Sequence, residues 1–246
     1  MKLGKLPARP NAVTFKLTDY VDTKKLTPPA FFGHDNLITS WGMLGNDTVG
    51  DCVLAGGAHE TMMWTAEGYA PAVFTDECVL SDYSAITGYD PSDPNTDNGT
   101  DMQMAASYRR KTGLLDANGK RHKVAAYLAI TPGNLSEHLL AAWLFGAVGI
   151  GINFPAYAMD EFNSGIPWAV EERKRQIEGG HYIPLVAHRG LLCVVTWGRI
   201  QQMTPQFFHK FNDESLVYLS EEMLYGGKSP EGFDDAQLRA DLSALK

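Results

Sequence analysis

The chain has 246 residues and a formal net charge of −8, with 44% hydrophobic and 20% charged residues. That length supports a sizeable core in one large domain or two closely packed ones. The acidic balance repels a phosphate backbone, which argues against nucleic acid as a partner. The first ten residues are too short and too polar for a signal peptide. The longest apolar run, 139–154, is broken by glycines and stops short of a membrane span, so no membrane partner is expected. The three cysteines, Cys52, Cys78 and Cys193, are an odd count without a disulfide framework. The expected location is therefore the cytoplasm or another place where a soluble chain goes unprocessed. The starting methionine argues against a pro-segment removed upstream.

Residues 1–40 are punctuated by Pro7, Pro10, Pro28, Pro29 and Gly33, and read as an extended arm wrapped on the body. Residues 13–17 are the best candidate there for an edge strand, and the arm is too short to be a large folded inhibitory segment. A loop over 41–50 leads into the helix predicted from Cys52 to about Gly68, with Asp51 as N-cap and Val53, Leu54, Ala55, Ala58, Met62 and Met63 as its apolar surface. Residues 70–95 alternate short apolar patches with turns. The loop 89–99 is expected to be exposed. Its acidic residues Asp90, Asp93 and Asp97, with Asp101, lack the glycine placement and closing glutamate of a calcium loop and read as solvated.

Residues 101–112 are predicted helical, with Gly113 as the stop. A strand is expected over 122–130, a helix over 134–145 capped by Asn134 or Ser136, and a buried strand over 149–154. Short apolar segments at 182–187, 191–197 and 216–220 read as further strands, and 231–246 as a short amphipathic helix. The front half is thus helix-rich and the back half strand-rich, which implies an α+β fold with a seam between halves. The expected units are the arm (1–40), a helical subdomain (41–125) and a β-rich subdomain (126–246).

Two stretches carry chemistry. In 46–64, a polar, glycine-bearing turn delivers Cys52 to a helix N-terminus, where the macrodipole favours a thiolate. A small buried core cysteine is the other reading of the same stretch. Further on, Gly179-Gly180-His181 precedes an apolar strand, and the two glycines let this backbone pass close to another group and leave the imidazole accessible. A thiol nucleophile needs a base that can later protonate the leaving amine, and histidine suits both roles near neutral pH. His181 follows Cys52 by about 130 residues, the interval seen between cysteine and histidine in papain-like sequences. His59 has no ligand partner at metal spacing, so neither metal nor cofactor is expected. The charged run 171–175 reads as a solvated face.

Four stretches in order make the chain similar to the papain-like cysteine peptidase superfamily. Residues 46–52 resemble its oxyanion-hole and nucleophile segment. Asn98-Gly99-Thr100 and the helix after it resemble its groove-lining glycine segment. Gly179-Gly180-His181 resembles its histidine strand, and Trp197-Gly198 the end of its asparagine-serine-tryptophan-glycine motif. The resemblance implies a helical subdomain packed on a β-barrel-like antiparallel sheet subdomain, with the cleft between them. It implies a Cys52–His181 thiolate–imidazolium dyad that hydrolyses peptide or amide bonds, with Asn46 in the oxyanion hole. Asn98, Gly99, Gly180 and Trp197 would line the substrate site, and the partner would be a polypeptide substrate or a protein. Two departures stand out. Asn46 replaces the family's glutamine, and Val195 lies where the histidine-orienting asparagine belongs, which leaves Thr196, a backbone carbonyl or water to orient His181, with Thr196 on the opposite face if Val195 faces the site. They motivate the alternative of a catalytically impaired scaffold acting as a binding or structural module.

Overall fold

The computed structural model describes residues 1–9, 13, 15–21, 26–173 and 176–223. The helix expected over 231–246 lies outside them. In chain order, the elements are β1 (Phe31–Gly33), α1 (Cys52–Glu67), α2 (Asp76–Thr87), α3 (Met102–Lys111), β2 (Leu114–Leu115), β3 (Arg121–His122) and β4 (Ala126–Ala129). Then follow α4 (Leu135–Phe145), β5 (Val148–Pro155), α5 (Ala158–Ser164), β6 (Ile177–Arg189), β7 (Leu192–Thr196), β8 (Arg199–Met203), α6 (Pro205–Phe211) and β9 (Asn212–Leu219).

Helices α1, α2 and α3 dominate the first half and the longer strands the second, as the sequence implies, with α4, α5 and α6 set between those strands. Asp101 caps α3 by accepting from the Gln103 and Met104 N–H groups, and Asn134 caps α4 by accepting from Glu137. Several regions differ from expectation, among them α5, β8 and α6, for which no element was expected. Residues 70–95 contain the full helix α2, started by the Thr75 hydroxyl on the Cys78 N–H and ended by Gly88 in the left-handed region. Its buried Val79 and Tyr83 stand four apart, a helical spacing masked by the polar residues between them. Residues 13–17 form no strand among the described residues. A single bridge from Lys16 to Ala129 is followed by a 3-10 turn at Leu17–Asp19.

Seven strands form one antiparallel sheet in the order β4-β9-β5-β6-β7-β8, and β1 pairs with the distal end of β6. Among the described residues no pairing joins β4 to β8, so the sheet is open rather than a closed barrel. One apolar cluster lies between this sheet and α4, α5 and α6. A second surrounds α1, α2 and α3. The seam runs where α1 lies on β6. A Cβ on Gly56 would sit 2.4 Å from the Tyr182 ring, so that glycine lets helix and sheet close on each other. Among the described residues, no helix is long and apolar enough to cross a membrane.

Candidate active site

The loop before α1 is held from both sides. The Asn46 amide donates to the Val49 carbonyl at 3.0 Å, and the Asp97 carboxylate accepts from the Gly50 N–H at 2.9 Å and from the Tyr83 hydroxyl at 2.7 Å. Asp97 is therefore not the solvated loop residue expected of it; it fixes the peptide that leads into Asp51 and Cys52. Asp51 occupies the N-cap position without a side-chain bond to the helix, and burial holds its carboxyl well above the usual range. Cys52 opens α1 and is buried. Burial pushes its thiol up to about 12, although the backbone N–H groups of Tyr182 and Gly4 face the sulfur and favour the charged form. Desolvation thus outweighs the helix dipole in this closed arrangement.

His181 lies on the opposite wall, in β6, one residue before the Tyr182 N–H that faces the sulfur. Its Nε2 is 2.7 Å from the Thr196 Oγ1, and its ring stacks on Trp197 at 4.3 Å between centroids and 16° between planes. Among the described residues, Nδ1 is buried without a hydrogen-bond partner. Burial lowers the imidazole pKa to about 3. Val195, the position at which the sequence places the missing orienting residue, clusters with Trp41, Met63, Val186 and Ala187 and lines the small cavity beside Cys52. Strand alternation therefore puts Thr196, not Val195, behind the histidine. The next two residues, Trp197 and Gly198, have φ of 45° and 76° between the paired Thr196 and Arg199. Two positive φ values in a two-residue loop make a type I′ hairpin turn. A tryptophan in that conformation costs about 1–3 kcal/mol, and here it delivers the indole face to the imidazole.

The groove between the walls is filled by the chain's own first residues. Lys5 N–H donates to the Gly180 carbonyl at 3.1 Å. On the other side, Thr100 N–H donates to the Gly4 carbonyl at 2.7 Å and Leu6 N–H to the Thr100 carbonyl at 3.0 Å. Residues 4–6 thus lie extended between a helical-side loop and a sheet strand. Lys2 N–H meets the Asn46 carbonyl, and the Trp197 indole N–H donates to the Lys2 carbonyl. The groove glycines make this approach possible. A Cβ on Gly99 would lie 2.3 Å from the Gly4 carbonyl oxygen, and one on Gly180 2.3 Å from the Lys5 carbonyl oxygen. Of the expected substrate-site residues, Gly99, Gly180 and Trp197 touch the arm. The Asn98 amide instead turns to the Asn95 carbonyl at the surface.

Two buried polar features escaped sequence reasoning. The Glu60 carboxylate accepts from Arg109 at 2.5 Å and from the Tyr182 hydroxyl at 2.7 Å, while the guanidinium lies 3.9 Å from the Tyr218 ring centroid. This network ties α1, α3, β6 and β9 together beneath Cys52. His59 points its Nε2 at the Trp41 and Gly42 carbonyls, both at 3.1 Å, and clamps the loop before the Cys52 segment. Neither an arginine on a helix nor an isolated histidine carries a sequence signal for such a partner.

Comparison with known proteins gives a consistent fold. Xylellain, a cysteine protease from Xylella fastidiosa, superposes with a TM-score of 0.67 over 89% of this chain and 96% of its own, at 12% identity. Procathepsin B S9 from Trypanosoma congolense gives 0.60 over 89% and 87%, at 10% identity. A cysteine protease from Carica candamarcensis, solved in complex with E-64, gives 0.55 over 78% and 99%, at 11% identity. No family model and no curated protein matches the chain. At these identities the likeness is one of fold: the chain has the papain-like fold.

Proposed function

We propose that this papain-like chain is a thiol hydrolase of peptide or amide bonds, with Cys52 as nucleophile and His181 as acid–base partner. The observation that carries the reading is the extended segment 2–6, paired to both walls of a glycine-lined groove beside Cys52 and held as a peptide ligand would be. When that segment leaves, water reaches both side chains and the desolvation that keeps them neutral is relieved. The proton then passes from the thiol to His181 Nδ1, and the thiolate gains the helix dipole and the Tyr182 N–H. The thiolate attacks the substrate carbonyl and forms the C–S bond. His181 gives its proton to the nitrogen as the C–N bond breaks. Water, deprotonated by the imidazole, then cleaves the thioester and restores the thiol.

The Thr196 hydroxyl takes the orienting role by accepting from Nε2–H, which leaves Nδ1 free as the base. This support for His181 favours a hydrolase over an impaired scaffold. The Cys52 N–H is the oxyanion donor at the helix start. The Asn46 amide, engaged with Val49 in the closed arrangement, would have to turn to join it. The test uses the full chain with the arm loosened by Gly4→Ala. Fluorogenic peptides are expected to be cleaved, and both Cys52→Ala and His181→Ala in that background to abolish cleavage. No turnover, together with Cys52 labelling no faster than an ordinary thiol of pKa about 8.5, refutes the proposal.

A further inference from the structure

The residue directly before Cys52 is a carboxylic acid that the hydrolysis leaves unused. Asp51 is completely buried at the start of α1, and among the described residues neither of its side-chain oxygens has a hydrogen-bond partner. The carboxyl is wedged between the loop and α2. A Cβ on Gly45 would stand 3.1 Å from Asp51 Oδ2 and 2.8 Å from the Leu80 side chain, so the space around that oxygen is already filled. The Asn46 amide lies close enough to favour the charged form, but it donates to the Val49 carbonyl.

No counter-charge makes up for the missing donors. Among the described residues, the titratable groups that bear on Asp51 are Asp97 from the loop before α3, Asp76 and Tyr83 from α2, and Cys52 itself. All are acids, and none brings a positive charge. A carboxylate out of water with neither donor nor cation is costly, and holding the proton avoids that cost. Two acids thus stand in consecutive positions at one helix start. The macrodipole favours a negative charge there, and Asp51 and Cys52 compete for it. An ionised Asp51 opposes the thiolate, whereas a neutral one does not. Acids coupled in this way titrate as a pair.

We infer that Asp51 governs when Cys52 becomes a nucleophile: held neutral beneath the loop, it cedes the anion position at the start of α1 to the thiolate, and once ionised it keeps the thiol protonated to higher pH. This rests on the reading of Cys52 as the nucleophile. Asp51 is then a positioning residue that acts through the sulfur and touches no substrate. Lys5 of the arm also bears on Cys52, and His181 is its proton partner in that reading. Both are the same in the chains compared below, so a difference between those chains reports Asp51.

The first measurement uses the otherwise unaltered chain. Urea midpoints are taken from pH 4 to 8 with Asp51 and with Asp51→Asn. Above the ordinary aspartate value of about 3.9, the unfolded chain releases the Asp51 proton while the folded chain keeps it, so stability falls as pH rises. Asparagine cannot ionise, and the midpoint of the variant should climb progressively above that of the unaltered chain. A gap that stays constant with pH overturns the inference, because Asp51 then ionises as an exposed aspartate does.

The second measurement follows iodoacetamide labelling of Cys52 from pH 4 to 9 in the arm-loosened Gly4→Ala chain. Adding Asp51→Asn should lower the pH of half-maximal labelling by at least about one unit, a tenfold gain in thiolate at a given pH. Asp76→Asn, which removes the same charge from an exposed position at the start of α2, should leave the profile in place. Superimposable profiles with and without Asp51, or an equal shift from Asp76→Asn, overturn the inference. A shifted profile without peptide cleavage leaves the coupling standing and removes the hydrolase. Cleavage with superimposable profiles does the reverse.

Discussion

Gly4 is the residue on which closure of the groove depends. A Cβ there would lie 1.7 Å from the Gly50 carbonyl oxygen and 2.2 Å from its carbon. Gly50 cannot retreat, because its N–H is held by Asp97 and Asp97 is held in turn by Tyr83. Alanine at position 4 must therefore push the arm out rather than move the wall. The size of the effect follows from the thiol. With the arm in place burial sets the Cys52 pKa at about 12, which leaves only a trace of thiolate near pH 7.5. Once solvated it returns at least to the ordinary value of about 8.5, so the thiolate fraction rises on the order of 1000-fold. Iodoacetamide labelling resolved by peptide mass spectrometry separates Cys52 from Cys78 and Cys193. The Gly4→Ala chain should label at Cys52 faster by up to that factor, with its circular dichroism unchanged. If a folded Gly4→Ala chain labels at the unaltered chain's rate, the arm does not control access to the thiol.

Other outcomes follow from the same geometry. Thr196→Val strips the hydroxyl from His181 Nε2; in the arm-loosened background cleavage should fall about 10- to 100-fold in kcat with KM little changed, and Thr196→Ser should restore it. Val195→Ala, in the packed cluster on the other face, should instead cost about 1 kcal/mol of stability in urea melts and leave the pH profile of cleavage in place. Glu60→Leu leaves the Arg109 guanidinium buried and unpaired, and chemical denaturation should report a loss of about 3–5 kcal/mol; a loss under about 1 kcal/mol would show that the network is not the tie described. His59 is neutral in the folded state, its pKa lowered by burial to about 4, whereas the unfolded chain protonates near 6.5. Between those values the unfolded chain binds the extra proton, so stability is lost as pH falls. His59→Gln should flatten that acid limb by about 1.4 kcal/mol per pH unit, measured as urea midpoints from pH 6.5 to 4.

The helical order of the first half and the strands of the second were legible because their signals are local. Asp101 and Asn134 cap helices from one residue outside them, and Gly113 stops one with a φ of 83°. Cys52 at a helix start and His181 after two glycines were legible for the same reason. The helix α2 was not, because polar residues between Val79 and Tyr83 hide a short buried stripe. Thr196 could be named as one candidate partner of His181 but not placed, for a different reason. Leu192, Cys193, Val194 and Val195 are all buried, so β7 carries no alternation from which the phase of Thr196 could be read.

By itself, the sequence determined the fold class, the helices α1, α3 and α4, and the candidate nucleophile and base, since caps, turns and periodicity act over a few residues. The tertiary structure alone decided what meets what across the seam. It set Thr196 against His181, Asp97 under the loop before Cys52, and Lys5 against Asp213 and Glu214 more than 200 positions away. The physical reason is that burial and charge pairing belong to positions in space. The ionisation of Cys52 and His181 is governed by which backbone covers them, and no local pattern in the first six residues announces that they provide the cover.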